Sequence, residues 1–142
     1  MSGGFAPRPL ILPIQMAFGW WQLTSANYIE HYGLLRQKEP NGKYEHCQPY
    51  HSWNSNHKYT NLVLFHLERH SDHHAHPTRR YQSLRNFKDV PRLPNGYNGM
   101  FPLAYVPLLW FRVMDPRLMA LPHIDGDVTR VNVDPEKKDA LY

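Results

Sequence analysis

The feature that most constrains the fold is a long uncharged run near the start of the chain. Residues 9–29 form 21 consecutive positions without a charged side chain, and Glu30 and His31 follow directly. Crossing a bilayer takes about 20 predominantly apolar residues. The first half of the run is apolar, whereas polar side chains such as Gln22 and Asn27 accumulate towards its end. We predict a membrane helix whose polar end faces a protein interior, with a buried helix of a soluble domain as the alternative.

A second uncharged run covers residues 93–111 and holds 19 residues. Three prolines interrupt it, and each removes a backbone donor and disfavours a straight helix. Broken backbone is not tolerated where it faces lipid. We therefore expect a membrane-associated segment packed against protein, with a place in a core as the alternative. The prolines are Pro94, Pro102 and Pro107.

Composition excludes several classes of function. The single cysteine, Cys47, rules out a disulfide framework and a cysteine-based zinc site. Sixteen Lys and Arg residues against twelve Asp and Glu residues leave a net charge of +4. No basic run is dense enough to indicate nucleic-acid binding, so no such partner is expected.

Changes in composition divide the chain into five predicted segments. Together they predict an all-α, helical integral-membrane fragment with a His-rich ligand helix, a polar connector and a weakly ordered, charged C-terminal tail. The connector histidines lack metal-ligand spacing and are predicted to lie at the surface or in loops; they are His46, His51 and His57. The segments are a membrane helix (1–36), the polar connector (37–59), a His-box helix with a basic segment (60–92), the Pro-interrupted apolar segment (93–116) and the tail (117–142).

Histidine is the unusual residue of this sequence, because five of the ten histidines fall within residues 66–76. The pattern predicts a helix over 60–76 that ends before Pro77. At about 100° per residue, Glu68 and Asp72 would point to a solvated face and pair with Arg69, His76 or another segment. Four histidines share the opposite face of this helix, namely His66, His70, His73 and His74.

Imidazoles spaced three and four residues apart on one helix face can converge on a metal ion. Each ring offers one lone-pair nitrogen while its other N–H binds an acceptor. The alternative is a set of hydrogen-bonded histidines in a polar core, for which the apolar neighbourhood offers few acceptors. A metal shared with these rings would also give His31, placed next to Glu30, a partner that offsets the cost of its burial.

Several stretches of the sequence resemble a known family over residues 9–120. They are Asn-Tyr-Ile-Glu-His-Tyr-Gly-Leu-Leu-Arg (27–36), Leu-x-Arg-His-Ser-Asp-His-His-Ala (67–75), Pro-Thr-Arg-Arg-Tyr-Gln-Ser-Leu-Arg (77–85), Leu-Pro-x-Gly-Tyr (93–97) and Trp-Phe-Arg-Val-Met-Asp (110–115). These stretches resemble the C-terminal part of the membrane-bound alkane 1-monooxygenases, which are non-haem di-iron alkane hydroxylases. That family belongs to the integral-membrane fatty acid desaturase and hydroxylase class.

The resemblance implies a set of iron ligands. His70, His73 and His74 match the third histidine box of the family, and His31 matches the histidine of its His-Tyr-Gly motif. His66 is placed in the pocket wall or behind the ligands, and its role stays open. No catalytic side chain is expected beyond the metal centre, because an alkane C–H bond offers no acidic proton and no leaving group, so a redox metal must begin the reaction.

The resemblance also implies a function for the complete enzyme. That function is terminal hydroxylation of medium- and long-chain n-alkanes to 1-alcohols with O₂, two irons and electrons from rubredoxin. The implied location is the bacterial inner membrane, where the full-length protein is multi-pass and contacts lipid. Just past the ligand helix, Arg79, Arg80 and Arg85 are hypothesised to dock the acidic donor, with the cytoplasmic membrane surface as their alternative position.

One departure from the family pattern matters. The first two histidine boxes of the family, His-x-x-x-His and Glu-His-x-x-His-His, have no counterpart here, so the chain is expected to be a C-terminal fragment that is inactive in isolation. Two other functions remain open. One is a xylene or fatty-acyl hydroxylase or desaturase of the same class. The other is a non-catalytic module that binds zinc or nickel through His70, His73 and His74.

Overall fold

The structure is a computed structural model that describes residues 10–134. Within this range the chain forms no strand, only isolated bridges between single residues, and the predicted helical class is confirmed. Three short 3₁₀ turns supplement the α-helices, at Pro49–His51, Tyr81–Ser83 and Val128–Arg130. The α-helices of the described part are α1 (Ile11–His31), α2 (Lys58–Val63), α3 (His70–Ala75), α4 (Tyr97–Ala104) and α5 (Pro107–Met119).

Helix α1 coincides with the first uncharged run. Its first half is exposed, and its buried residues, Ala26, Ile29 and Glu30, lie near its end. Among residues 10–134, no helix is both long enough and apolar enough to cross a membrane. The predicted helix is confirmed over Ile11–His31.

The core forms where α1, α4 and α5 meet. Ile29 of α1 is fully buried together with Tyr97 and Met100 of α4 and with Trp110 and Met114 of α5. Tyr97, Met100 and Trp110 of the second uncharged run therefore take part in the core, whereas membrane association of the segment stays a prediction. The same run also contributes exposed apolar side chains, Leu108 and Leu109 among them.

The prolines of this run divide it into two helices. Pro107 occupies the start of α5, where its missing N–H costs nothing because the first amides of a helix have no intrahelical partner. Pro102 lies inside α4, which extends over only 8 residues. The prolines therefore produce two short, closely packed helices in place of one straight helix.

Residues from the predicted tail pack against the end of α1. The chain turns at Gly33, whose φ of +68° is a conformation that residues with a side chain rarely adopt. Leu34 bridges to Val131, and the N–H of Asn132 donates to the carbonyl of Gly33 at 3.0 Å. Val131 is buried, so part of the predicted tail packs against the end of α1, while residues 135–142 lie outside the described residues.

We expect Gly33→Ala to lower the free energy of unfolding by about 2 kcal/mol. The left-handed conformation alone costs an L-residue roughly 1–2 kcal/mol, and a Cβ at this position would lie 2.1 Å from Cδ2 of Leu118. Gly42→Ala is the matched control, because Gly42 has φ +81° and no atom within 4 Å of an added Cβ. Chemical denaturation of the two variants measures the difference. Equal losses would mean that the contact with Leu118 contributes nothing.

The predicted helix over 60–76 is wrong in its middle. Helix α2 ends at Val63 and α3 begins at His70. Between them Phe65 and His66 adopt left-handed conformations, with φ of 50° and 60°. Two consecutive residues with positive φ cannot continue a right-handed helix, so the chain turns and α3 points in a new direction. The predicted end before Pro77 is confirmed, since α3 ends at Ala75.

Candidate metal centre

The ends of two helices bring three imidazole rings together. His31 is the last residue of α1, His70 is the first residue of α3, and His74 lies one turn further along α3. The nitrogens of the three rings that can bind a metal all lie within 4.8 Å of one another. Nε2 of His70 is 3.3 Å from Nε2 of His31 and 2.7 Å from Nε2 of His74. The structure therefore gathers three of the four histidines selected from the sequence.

The surroundings of these rings favour neutral imidazoles whose Nε2 atoms face one another. Nδ1 of His31 donates to the backbone carbonyl of His51 at 3.2 Å, which leaves Nε2 of His31 free to act as a ligand. Burial, followed by the neighbouring rings of His74 and His31, lowers the pKa of His70 to about 2. Burial also lowers the pKa of His74. A neutral imidazole is the form that binds a metal ion.

The fourth selected histidine, His73, lies beside this group and not within it. Its ring centroid is 6.0 Å from that of His70 and 5.8 Å from that of His74, and its side chain is exposed. The cause is helix geometry. At about 100° per residue, His74 lies about 40° from His70 around the axis of α3, whereas His73 lies about 60° away on the other side.

The donor set fits a bound metal ion. Ligand nitrogens about 2.1 Å from a common ion are expected roughly 3–3.5 Å apart. The Nε2 atoms of His70 and His31 are 3.3 Å apart, and those of His70 and His74, at 2.7 Å, would have to separate by a few tenths of an ångström. Three imidazoles suit iron, zinc, copper or nickel. The chemistry of the donors therefore supports a metal centre without selecting the metal.

A buried carboxylate completes the inner part of the site. Glu30 is 4 % exposed, its Oε2 lies 3.2 Å from Nε2 of His70, and its Oε1 accepts a hydrogen bond from the hydroxyl of Tyr97. A carboxylate at this distance can balance the charge of a bound cation. Sequence reasoning noted Glu30 beside His31 but assigned it no role. The available signal was a single carboxylate at the end of an uncharged run.

An apolar cleft of about 450 Å³ opens beside the histidine rings. Leu23 and Ala26 of α1 and Leu67 line its apolar side, and Glu30 and the α3 histidines line the other side. The cleft can therefore bring an apolar molecule next to a bound metal.

The comparisons with known proteins identify the family of the chain. The sequence profile of the fatty acid desaturase family matches residues 1–104. The chain belongs to the fatty acid desaturase family. It is 67 % identical over 133 residues to alkane 1-monooxygenase 1 of Alcanivorax borkumensis and 64 % identical over 132 residues to alkane 1-monooxygenase of Ectopseudomonas oleovorans.

Each of these two alignments covers 92 % of this chain and 32 % of the relative. The chain therefore spans about a third of the length of the curated relatives that it matches. It is also 30 % identical over 91 residues to the xylene/toluene monooxygenase hydroxylase component of Pseudomonas putida, covering 62 % of this chain and 22 % of that protein.

The sequence pattern placed two carboxylates of the ligand helix on a solvated face, and that prediction is wrong, because both are buried in this desaturase-family chain. Glu68 and Asp72 are both 0 % exposed. The carboxylate of Glu68 accepts the backbone N–H of Tyr97 at 2.8 Å and that of His57 at 3.3 Å. Glu68 therefore fixes the start of α4 against the turn that precedes α3.

Asp72 connects the ligand helix to the basic segment that follows it. Its carboxylate accepts hydrogen bonds from Arg79 at 2.6 Å, from the backbone N–H of Arg85 at 2.8 Å and from Nδ1 of His76 at 3.0 Å. Burial alone would raise the pKa of Asp72, but the Arg85 amide and the Arg79 guanidinium outweigh burial and lower it. The predicted pairing with His76 is confirmed. Arg79 is held in an ion pair, whereas Arg80 and Arg85 are exposed.

His51 ends the 3₁₀ turn Pro49–His51 of the connector, so it has the predicted loop position but not the predicted surface position. Its ring is buried, Nδ1 accepts the backbone N–H of Gln48 at 2.9 Å, and Nε2 lies 3.1 Å from the carboxylate of Glu45. The His51 carbonyl is also the acceptor for His31. Sequence reasoning missed this role because a backbone acceptor has no signature in the sequence. His46 and His57 are exposed as predicted.

His66, whose role was left open, lies away from the three converging rings. Its Nδ1 is 3.1 Å from the backbone carbonyl of Tyr81, and the left-handed backbone at His66 directs it to that loop. The structure therefore places His66 against the segment that follows α3.

Proposed function

We propose that this chain is the part of a non-haem di-iron alkane hydroxylase that supplies four iron ligands, namely His31, His70, His73 and His74. The observation that carries the proposal is the convergence of three imidazoles from two helices, in a chain 63–67 % identical to alkane 1-monooxygenases. The complete protein converts medium- and long-chain n-alkanes and O₂ into 1-alcohols.

The chemistry of the substrate explains why the site is built from metal ligands. An alkane C–H bond offers nothing to an acid, a base or a nucleophile. Iron held by these histidines would supply the activation of O₂ that the reaction needs. Hydroxylation consumes one alkane, one O₂, two electrons and two protons and yields one alcohol and one water, so an electron donor is required, for which we propose rubredoxin.

The apolar residues beside the histidines bind the substrate in this proposal. An n-alkane has no polar group, so only shape and the removal of apolar surface from water can hold it. Leu23, Ala26 and Leu67 offer such a surface in the cleft beside His70. A chain entering end-on brings its terminal methyl group to the metal first, which accounts for hydroxylation at carbon 1.

His73 is the residue that we assign to the second iron. It lies beside the three converging rings and lines the same cleft as His70 and His74, yet its nitrogens are not part of their cluster. Two irons require more ligands than the four proposed here. Since the chain spans about a third of its relatives, the remaining ligands are assigned to the rest of the complete protein.

Location in the bacterial inner membrane, as part of a multi-pass protein in contact with lipid, is likewise a proposal. It is supported by the apolar side chains that α1 leaves exposed, which are Leu12, Met16, Trp20 and Leu23 at 62–72 %. Exposed apolar surface of this extent marks contact with lipid or with another part of a protein.

An alkane hydroxylase is favoured over the two alternative functions. The identity to the xylene/toluene monooxygenase component is 30 %, against 67 % for an alkane 1-monooxygenase. Metal analysis distinguishes a non-catalytic zinc or nickel module from an iron enzyme, because a zinc site is colourless and redox-silent.

The proposed function predicts an active chimera. Residues 9–120 replace the matching part of the Ectopseudomonas oleovorans alkane 1-monooxygenase, to which the chain is 64 % identical. We expect the purified chimera to contain iron and to form 1-octanol from octane when rubredoxin, its reductase and O₂ are supplied. Product formation is measured by gas chromatography, and His46→Ala, at an exposed connector histidine, serves as the control.

The chimera separates the three functions. A folded chimera that retains iron but oxidises xylene and not octane would favour the xylene hydroxylase. A folded chimera that contains zinc and forms no product would contradict the proposed function.

A further inference from the structure

The connector between α1 and α2 contains a buried segment that contacts both ligand-bearing helices. Sequence composition marks residues 37–59 as a polar linker, yet Trp53 is 1 % exposed and Asn54 is 6 % exposed. These two residues lie between the end of α1 and the start of α3, and each binds a different helix. We refer to Trp53 and Asn54 together as the bridging pair.

Trp53 holds the end of α1 on both sides of His31. Its backbone N–H donates to the carbonyl of Glu30 at 2.8 Å, and its indole Nε1–H donates to the carbonyl of Tyr32 at 2.8 Å. The last carbonyls of a helix have no intrahelical donor and need a partner from elsewhere. Trp53 supplies two such donors, so the backbone that carries His31 is fixed at two points.

Asn54 holds the start of α3 next to His70. Its Oδ1 accepts the backbone N–H of Ser71 at 2.9 Å, and its Nδ2 donates to Oγ of Ser71 and to the carbonyl of Ser52. The first amides of a helix lack intrahelical acceptors, and this amide uses the side chain of Asn54. Because Ser71 follows His70 directly, the bond fixes the backbone that carries the His70 ring.

The bridging pair is itself anchored. The backbone N–H of Asn54 donates to the carbonyl of Pro91 at 2.8 Å, and its carbonyl accepts the N–H of Leu93 at 2.9 Å. On the following residue, the N–H of Ser55 donates to the carbonyl of Glu68 at 3.0 Å. Bonds to two other segments therefore restrain the segment that holds both helices.

We propose that Trp53 and Asn54 are positioning residues that set the separation between the metal-binding nitrogens of His31 and His70. The inference rests on the proposed function of the histidine cluster as a metal centre. Those two rings come from positions 39 residues apart, and metal–ligand distances tolerate deviations of only about 0.2 Å. The bridging pair forms hydrogen bonds with the backbone next to both ligands. Loss of the bonds to either helix therefore shifts one imidazole ring relative to the other.

The test measures Co²⁺ binding by the chain in detergent. The visible absorption of Co²⁺ reports coordination number and symmetry, which a purely structural role for the pair would not change. We expect Asn54→Ala and Trp53→Phe each to weaken Co²⁺ binding by about 10–100-fold, the range found when a group behind a metal ligand is removed. We also expect the absorption band to change in position or intensity, because one ring is displaced.

Asn61→Ala is the matched control. Asn61 is also buried, at 4 % exposure, but it lies in α2 and its Nδ2 bonds to Asn56. We expect this variant to lose stability while it keeps the Co²⁺ affinity and spectrum of the unaltered chain. Trp53→Phe keeps an aromatic ring in the core and removes only the indole N–H donor. If Asn54→Ala does not fold, the Co²⁺ affinity and spectrum of Trp53→Phe test the positioning role.

Each outcome bears on a different claim. Folded Asn54→Ala and Trp53→Phe variants with unchanged Co²⁺ affinity and spectrum would overturn the positioning role and leave the metal centre intact. Failure of the unaltered chain to bind Co²⁺ would contradict the proposed function, and the positioning role would fall with it.

Discussion

His70→Ala is expected to abolish metal binding by the histidine cluster. Nε2 of His70 lies 3.3 Å from that of His31 and 2.7 Å from that of His74, so its ring is the common neighbour of the other two. Removing it leaves two imidazoles that come from different helices. Loss of a group behind a ligand costs 10–100-fold in affinity, so loss of the ligand itself is expected to cost more than about 100-fold.

Metal stoichiometry after loading with Co²⁺ or Fe²⁺ and gel filtration measures this loss in the chain. In the chimera the same substitution is expected to abolish iron binding and the formation of 1-octanol. His57→Ala is a suitable control, because His57 is exposed and its side chain is outside the cluster. Full metal content in a folded His70→Ala variant would remove His70 from the ligand set.

His73→Ala separates a one-metal site from a two-metal site. The ring of His73 lies outside the converging group, so in the isolated chain this variant is expected to keep most of its Co²⁺ affinity. In the chimera, where the remaining ligands are present, the same change is expected to lower the iron content and abolish octane hydroxylation. Equal effects of His70→Ala and His73→Ala in the isolated chain would contradict the assignment of His73 to a separate iron.

The convergence of His31 with the α3 histidines illustrates what the sequence makes predictable. Two local patterns predict it: a histidine at the polar end of an uncharged run, and the His-x-x-His-His spacing. In the structure His31 is the last residue of α1 and His70 is the first residue of α3. The pattern also placed His73 on the same face as His70. It did not show on which side of His70 the ring of His31 lies, and this decides that His74 and not His73 joins them.

The break before α3 could not be predicted from residue types. Phe65 and His66 adopt positive φ, a conformation that sequence patterns associate with glycine or asparagine. A continuous helical wheel therefore placed Glu68 and Asp72 on a solvated face, whereas the turn directs both into the protein. Backbone amides are among their partners, namely the N–H of Tyr97 for Glu68 and the N–H of Arg85 for Asp72, and a backbone donor leaves no signature in the sequence.

Arg79→Met is expected to lower the free energy of unfolding by about 3 kcal/mol. Asp72 is 0 % exposed and Arg79 is 19 % exposed at the side chain, and removing one partner of a buried ion pair typically costs about 3–5 kcal/mol because the remaining charge stays buried without compensation. The expected loss of stability lies at the lower end of this range because Arg79 is partly exposed. The Arg85 amide and His76 still bind the carboxylate. Chemical denaturation at neutral pH measures the change.

Arg80→Met is the control for this prediction, because Arg80 is the exposed neighbour and its replacement is expected to change stability by less than about 0.5 kcal/mol. The pH dependence adds a second check. The lowered pKa of Asp72 means that the ion pair stabilises the fold above the ordinary aspartate pKa of about 3.9 and that this contribution is lost as the pH falls further.

In Arg79→Met the burial that raises the pKa of Asp72 is no longer opposed by the guanidinium, so the carboxyl group takes up a proton at higher pH than in the unaltered chain. Protonation removes the buried charge that destabilises the variant. The difference in stability between the two proteins is therefore expected to narrow as the pH falls. A difference that stays constant from pH 7 through the ordinary aspartate pKa of about 3.9 and below it would mean that Arg79 stabilises the ligand helix through packing of its side chain and not through its charge.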